Sequence, residues 1–231
     1  AFSDFHLSGD PPTKPMDIFG ENWKNHREKI LSAWKETITA GDTVIMAGDI
    51  SWATHLEDAL SDLKTLSALP GRKIIVRGNH DYWWNTVSKM KRMTDNAFEF
   101  IFNSALSVEN IALAGTRGWI PETSKKITEE DKVIILREQG RLERSLIEAE
   151  KFNCEKIFAI LHYPPFDEQR RPTKMMEIMK SHGVTDCIYG HIHGKQNFNN
   201  LPKELEGIQL HLTSSDYLDF KPLLLTEWNE S

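Results

Sequence analysis

The chain has little cysteine: only Cys154 and Cys187 among its 231 residues. The two do not form a C-x-x-C pair, so the sequence argues against a disulfide framework and against a thiolate zinc site. We expect both thiols to be reduced and packed.

The sequence also lacks long apolar runs and long basic runs. An apolar stretch such as residues 157–161 is far shorter than the roughly 20 residues that span a bilayer, and no charged-then-apolar signal segment opens the chain. With 28 Lys and Arg against 34 Asp and Glu, the net charge is −6, which does not favour a general binder of long nucleic acid. We therefore expect a cytoplasmic protein that does not enter a membrane.

Internal repeats, low-complexity tracts and Gly/Ser linkers are absent from the sequence as well. With 39% hydrophobic and 27% charged residues, the composition is that of a globular protein. We predict one domain over residues 1–231.

Short β-forming apolar runs alternate with segments of helical spacing. The spacing of Trp23, Ile30, Trp34 and Ile38 predicts a helix, and Thr128 followed by Asp131 resembles a helix-start cap. This alternation predicts an α/β protein whose sheet is covered by helices. The predicted strands cover residues 43–47, 73–76, 110–114, 156–161 and 185–189. Since only three residues precede Asp4, we also expect the first strand to have lost residues at its N-terminus.

Side chains of metal-ligand type stand where several apolar runs stop. In open α/β folds, the loops after the carboxyl ends of strands build the active site, so these side chains are expected to converge on one cleft. The five segments are Asp4-Phe5-His6, Gly48-Asp49, Gly78-Asn79-His80-Asp81, His162-Tyr163-Pro164-Pro165 and Gly190-His191-Ile192-His193-Gly194.

The spacing and chemistry of these residues favour a metal centre. Asp4 and His6, like His191 and His193, are two residues apart, which directs both members of each pair to one side of an extended backbone. Carboxylate, carboxamide and imidazole ligands suit Mn, Fe, Zn, Co or Ni. Four His, two Asp and one Asn exceed the needs of one ion and suit two ions that share a water or hydroxide.

The five segments, in this order, resemble the motifs of the calcineurin-like metallophosphoesterase superfamily. They run from Asp4 to His193 and so cover most of the chain. The resemblance implies a four-layer α/β/β/α sandwich of two mixed β-sheets flanked by helices, with a dinuclear metal site at the strand ends.

The resemblance also implies a role for each matching residue. The first ion would be held by Asp4, His6, Asp49 and His193, and the second by Asp49, Asn79, His162 and His191. His80 matches a histidine that contacts the phosphate and protonates the leaving group, and Asp81 matches a residue credited with orienting that histidine.

One departure from the motifs of the superfamily narrows the expected class of substrate. The protein Ser/Thr phosphatase branch continues its second motif as Gly-Asp-x-x-Asp-Arg-Gly, whereas this chain has Ile50-Ser51-Trp52-Ala53 after Asp49. The departure argues against that branch. The double-strand-break nucleases of the superfamily usually carry an extra capping domain, and the 38 residues after His193 leave little room for one, so we expect a small-molecule phosphate ester.

Other residues near the motifs have two interpretations each. Trp52, Tyr82 and the pair Trp83 and Trp84 would either stack on an aromatic substrate group or pack in the core. The basic residues after His162 would either bind a second anionic group of the substrate or form a solvated loop. They are Arg170, Arg171 and Lys174. Arg117 ends another predicted strand and has no role in the motifs. The remaining histidines, His26, His55, His182 and His211, are expected to be surface or packing residues.

The sequence thus predicts a metal-dependent phosphoesterase that hydrolyses a phosphate mono- or diester with a hydroxide held by two transition-metal ions, with Mn favoured. A nuclease or cyclic-nucleotide phosphodiesterase would use the same ligands. A non-enzymatic metal-binding scaffold is the third alternative, although such scaffolds are expected to lose ligands that this chain retains.

Overall fold

The computed structural model describes residues 1–125 and 127–227. Its smaller sheet has three strands, β1 (Thr43–Met46), β2 (Arg72–Val76) and β3 (Glu99–Ile101), in the order β1-β2-β3. Both pairings are parallel.

The larger sheet has six strands in the order β4-β5-β6-β7-β9-β8. The pairs β4·β5 and β8·β9 are antiparallel and the others parallel, so this sheet is mixed. Its strands are β4 (Ala105–Val108), β5 (Ile111–Thr116), β6 (Lys156–Leu161), β7 (Asp186–Tyr189), β8 (Glu204–Leu205) and β9 (Ile208–Leu212).

The described residues form five α-helices, of which the first precedes β1 and the others lie between strands: α1 (His26–Thr37), α2 (Leu56–Ser67), α3 (Val87–Met93), α4 (Glu129–Glu150) and α5 (Lys174–Ser181). Short 3-10 helices cover Met16–Phe19, Glu21–Trp23 and Lys195–Asn197. The predicted cap is confirmed, because Thr128 and Asp131 form a capping box at the start of α4.

The two sheets pack face to face. Alternate residues of β1 point to opposite faces, so Ile45 enters a cluster shared with Phe158 and Ile160 of β6, whereas Val44 and Met46 face the helices. Residues of α1 and α2 share that helix-side cluster with the smaller sheet, and residues of α4 and α5 cover the larger sheet.

The predicted α/β/β/α layering is therefore confirmed, and the larger sheet is mixed as expected. The smaller sheet, in contrast, has only parallel pairings among the described strands. Near the N-terminus, Phe2 bridges to Met46 and Ser3 to Ser214, so this segment lies against both sheets.

Cys154 and Cys187 are free cysteines. Within the described residues, no helix is long and apolar enough to cross a membrane.

Candidate metal centre

The five predicted segments meet at one edge of the sheet pair. Asp49 follows β1, Asn79 follows β2, His162 directly follows β6 and His191 follows β7. The pairs β1·β2 and β6·β7 are each parallel, and residues 2 and 3 bridge in parallel to both sheets, so the four carboxyl ends point to the same edge.

The backbone of several of these residues is in a conformation that L-residues seldom adopt. Asp4, His6, Asp49 and His191 have φ angles of 58°, 48°, 55° and 70°. Such conformations cost free energy and persist where the surrounding structure imposes them. Here the amides of Asp4 and His6 donate to the carbonyls of Gly48 and Asp49, at 2.9 and 3.0 Å.

Two glycines allow this close approach. A Cβ on Gly78 would lie 2.1 Å from Oδ1 of Asp49, and one on Gly48 would lie 2.6 Å from Cα of Gly78. Gly48 also has a φ of 93°, which favours glycine. The loops after β1 and β2 can therefore contact each other only because both positions lack a side chain.

The first group of ligand atoms comes from Asp4, His6 and His193. Nε2 of His193 lies 3.1 Å from Oδ1 of Asp4 and 3.4 Å from Nε2 of His6. Their ligand atoms lie within 4.8 Å of one another, a spacing that a single metal ion can bridge. The carboxylate of Asp4 is fully buried.

The second group comes from Asp49, Asn79, His162 and His191. Oδ1 of Asn79 lies 2.7 Å from Nε2 of His162 and 2.8 Å from Nδ1 of His191. Oδ2 of Asp49 lies 3.4 Å from Nε2 of His162 and 3.8 Å from Nε2 of His6 of the first group. Asp49 thus stands between the two groups, and Asp4 also lies within reach of His162.

The hydrogen bonds of the histidines show which atoms face the centre. Nδ1 of His162 donates to the carbonyl of Ala47 at 2.9 Å, and Nδ1 of His193 donates to Asp216 at 2.9 Å. In the neutral rings, the opposite Nε2 atoms therefore carry lone pairs, and these face the oxygens of Asn79 and Asp4. Lone pairs that face one another repel unless a cation lies between them, so the donor set fits metal ions.

Two rings carry an added proton when no metal ion is bound. Burial lowers the pKa of His162, but the charge of Asp49 outweighs it and raises this pKa to about 9. Burial likewise opposes the charge of Asp4 at His193, whose pKa rises to about 10. Protons on these rings then compete directly with metal ions for the same nitrogens.

The other two rings are neutral at pH 7. Burial lowers the pKa of His6 to about 4, and burial together with the charge of His162 lowers that of His191 to about 3. At Asp4, burial is outweighed by the charge and the hydrogen bond of His193, so the pKa of this carboxyl falls well below its ordinary range. At Asp49, burial is outweighed by the charge and the hydrogen bond of His162, which lower the pKa to about 2. The centre therefore offers both carboxylates in the ionised form at neutral pH.

Asp81 supports the ligand loops. Its Oδ2 accepts from the amides of Gly78 and Asp49 at 2.7 and 2.9 Å, and its Oδ1 accepts from the amide of Ile50 and from Nε1 of Trp83, both at 2.9 Å. The described residues include no hydrogen bond between this carboxylate and the ring that it was expected to orient. Burial, followed by the charge of Asp49, raises the pKa of Asp81 to about 6.

His80 lies beside the ligands, where it contacts Asp49 and Trp52 rather than Asp81. Its amide donates to Oδ1 of Asp49 at 2.7 Å, and its ring packs on Trp52 with centroids 4.3 Å apart. Burial lowers the pKa of His80, so the ring is neutral at pH 7.

Two supporting residues lie outside the sequence motifs. Asp216 accepts from Nδ1 of His193 and from the amide of Gly194, both at 2.9 Å, and Ser3 donates to Oδ2 of Asp4 at 2.5 Å. The sequence signal that could have indicated Ser3 is its position directly before Asp4. Asp216 has no such signal, because β9 brings it to His193 from 23 residues further along the chain.

The tryptophans take different positions in the structure. Trp83 is buried in the core, and Trp84 packs edge-on against Phe100. Trp52 stacks on His6 with centroids 4.8 Å apart, so it forms a wall of the metal centre. Tyr82 is 56% exposed, with its ring 6.1 Å from that of His80.

The charged residues after His162 have partners of their own. Arg171 pairs with Asp167 at 2.7 Å, Lys174 pairs with Glu177, and Arg170 donates to the carbonyl of Asn197. These pairings favour the solvated-loop interpretation. His182 and His211 are likewise bound to carboxylates outside the centre.

Comparison with known proteins agrees with this geometry. The family model described as calcineurin-like phosphoesterase matches residues 1–195. Comparison with curated proteins gave no match.

Two solved structures share the fold. A protein of unknown function, AQ665 from Aquifex aeolicus, superposes with a TM-score of 0.52 at 18% identity, over 96% of this chain and 92% of that one. The protein TT1561 of Thermus thermophilus has a TM-score of 0.57 at 12% identity, over 83% of this chain and 84% of that one. At these identities the likeness concerns the fold alone.

Proposed function

Because the chain belongs to the calcineurin-like phosphoesterase family, we propose that it hydrolyses a small-molecule phosphate mono- or diester at a dinuclear metal centre. The supporting observation is the convergence of nitrogen lone pairs and oxygens described above. The first ion would be held by Asp4, His6, Asp49 and His193, and the second by Asp49, Asn79, His162 and His191.

Bound metal ions would lower the pKa of a water molecule and neutralise charge on the phosphate. The protein's own contribution is to hold the ligands rigidly before substrate arrives. Asp216 fixes the ring of His193, and the carbonyl of Ala47 fixes that of His162, at 2.9 Å in each case. The ligand nitrogens are thereby directed at the centre without further rearrangement.

We assign His80 a role on the substrate. Its ring would donate an N–H hydrogen bond to a phosphate or leaving oxygen, and its protonated form would transfer a proton to the departing alcohol. Packing of the ring on Trp52 restricts its orientation.

The ligand set accepts several transition metals, and we favour Mn²⁺ for the reaction in the cell, with the cytoplasm as its location. The net charge of −6 favours a small substrate over a long nucleic acid.

The test compares hydrolysis of a chromogenic phosphodiester and of the matching monoester with added Mn²⁺. Asp49→Ala removes the carboxylate between the two ligand groups and should abolish both metal loading and turnover. Asp58→Ala, at an exposed position in the first turn of α2, is the matched control and should retain both. Full activity of Asp49→Ala would refute the proposal.

A further inference from the structure

Three arginines lie near the strand ends that carry the ligand segments, and two of them contact one buried carboxylate. Arg77 and Arg117 follow the carboxyl ends of β2 and β5, and Arg141 lies on α4. Oε1 of Glu138, which is fully buried, lies 2.5 Å from Nη1 of Arg141 and 3.8 Å from Nη2 of Arg117.

The arginine cluster (Arg77, Arg117 and Arg141) carries three positive charges, against the two carboxylates of Asp81 and Glu138, whose charges both act on Arg77. Within the described residues, the Nε atoms of Arg77 and Arg117 are buried without a hydrogen-bond partner. Buried guanidinium groups of this kind are stabilised by a further anion.

Arg117 connects the cluster to the metal centre through its main chain and through two aromatic rings. The carbonyl of Arg117 accepts from the amides of His162 and Tyr163, both at 3.0 Å. The guanidinium carbon of Arg117 lies 4.2 Å from the ring centre of Trp119, which contacts Tyr163. The Tyr163 ring in turn lies 4.1 Å from that of His191, centre to centre.

We propose that the arginine cluster binds a second anionic group, phosphate or carboxylate, of a substrate whose scissile phosphate lies at the metal centre. This inference rests on the proposed function and narrows its substrate class to phosphate esters with two anionic groups. Planar guanidinium groups suit both anions because their N–H donors match two oxygens at once.

The first experiment measures inhibition of chromogenic ester hydrolysis by fructose 6-phosphate and by fructose 1,6-bisphosphate. In the native protein the bisphosphate should inhibit about tenfold or more tightly, the gain expected from charge-assisted hydrogen bonds. Arg117→Gln should reduce the ratio of the two inhibition constants towards one. Arg137→Gln, on the exposed face of α4, is the control and should leave it unchanged.

A second experiment needs no turnover. Sulfate should raise the melting temperature of metal-free native protein and of Arg137→Gln above that seen in chloride of equal ionic strength, and should do so less in Arg117→Gln. Glu138→Gln removes the competing carboxylate and should increase the sulfate effect. If the cluster had only a structural role, Glu138→Gln would lower the melting temperature and would not increase the sulfate effect. If Arg117→Gln does not fold, Arg117→Lys replaces it. Lysine keeps the charge but lacks the planar guanidinium group, so it should also lower the ratio of the two inhibition constants.

The two proposals fail in different ways. Hydrolysis with equal inhibition by both sugar phosphates would overturn the second-anion site and leave the phosphoesterase intact. Absence of hydrolysis, with a sulfate effect that depends on Arg117, would refute the proposed function and support anion binding by the cluster. Equal sulfate effects in native protein and Arg117→Gln would overturn the site.

Discussion

Nδ1 of His193 lies 2.9 Å from Oδ1 of Asp216, and the other oxygen of that carboxylate accepts from the amide of Gly194. One side chain therefore fixes both the ring and the backbone of the last predicted ligand segment. A carboxylate behind a ligating histidine orients the ring and increases its basicity.

Asp216→Asn should therefore weaken metal binding by about 10- to 100-fold, since the amide is uncharged and its nitrogen cannot accept from an N–H. Titration of metal-free protein with Mn²⁺ measures this. Asp219→Asn, at an exposed position three residues further on, is the control. Equal affinity of the native protein and Asp216→Asn would exclude this supporting role.

Gly78→Ala should displace Asp49, because the new Cβ would lie 2.1 Å from its Oδ1 and 2.2 Å from its backbone nitrogen. We expect a loss of about 1–3 kcal/mol in the free energy of unfolding, typical of overpacking, together with loss of Mn²⁺ binding.

Gly140→Ala provides the contrast. This glycine lies within α4, where the nearest atom to a new Cβ is 3.6 Å away, so alanine should stabilise the protein by about 0.5–1 kcal/mol. Denaturant unfolding of the two variants compares them, and normal Mn²⁺ binding by Gly78→Ala would contradict the close packing of the two loops.

Asp81→Asn should destabilise the ligand loops whether or not metal is present. The amide NH₂ would face N–H groups that now donate to a carboxylate oxygen, and a lost hydrogen bond to a charged group costs about 1.5–3 kcal/mol. Unfolding of the metal-free protein isolates this effect from metal binding. An unchanged free energy of unfolding, equal to that of the exposed control Asp95→Asn, would contradict it.

Metal binding should strengthen as the pH rises above 6.5. In the metal-free protein the pKa values of His162 and His193 are raised to about 9 and about 10. The stability that they contribute is fully present below the unfolded pKa of about 6.5 and is lost as the pH rises through the folded values. His6 and His191, whose pKa values are lowered, stay neutral over this range and do not add to the pH dependence of metal binding.

The melting temperatures of metal-free and Mn²⁺-loaded protein should therefore diverge between pH 6.5 and 8.5, with proton release on binding. Calorimetric titrations in buffers of different ionisation enthalpy would measure the released protons. A constant difference in melting temperature, with no proton release, would contradict the assigned protonation of these rings.

The sequence predicts the ligand segments because each is local to a strand end. The β-forming runs before Asp49, Asn79, His162 and His191 fall within one or two residues of β1, β2, β6 and β7. Asp-x-His and Gly-His-x-His carry their chemistry in adjacent residues, so no tertiary contact is needed to recognise them.

The supporting residues could not be predicted in this way. Asp216 reaches His193 only because β9 pairs with β7, and sequence spacing does not reveal that pairing. Glu138 resembles other charged residues of α4, and only the packing of α4 on β5 buries it beside Thr116 and Arg117. Contacts between distant segments depend on the sheet order, which the local patterns leave open.

The most direct measurement for the metal centre is the number of Mn²⁺ ions bound per chain, by equilibrium dialysis of the native protein, Asp49→Ala and Asp58→Ala. We predict two ions for the native protein and for Asp58→Ala, and loss of binding in Asp49→Ala, whose carboxylate lies 3.4 Å from His162 and 3.8 Å from His6. Binding of no Mn²⁺ by the native protein, or equal binding by Asp49→Ala, would contradict the dinuclear centre.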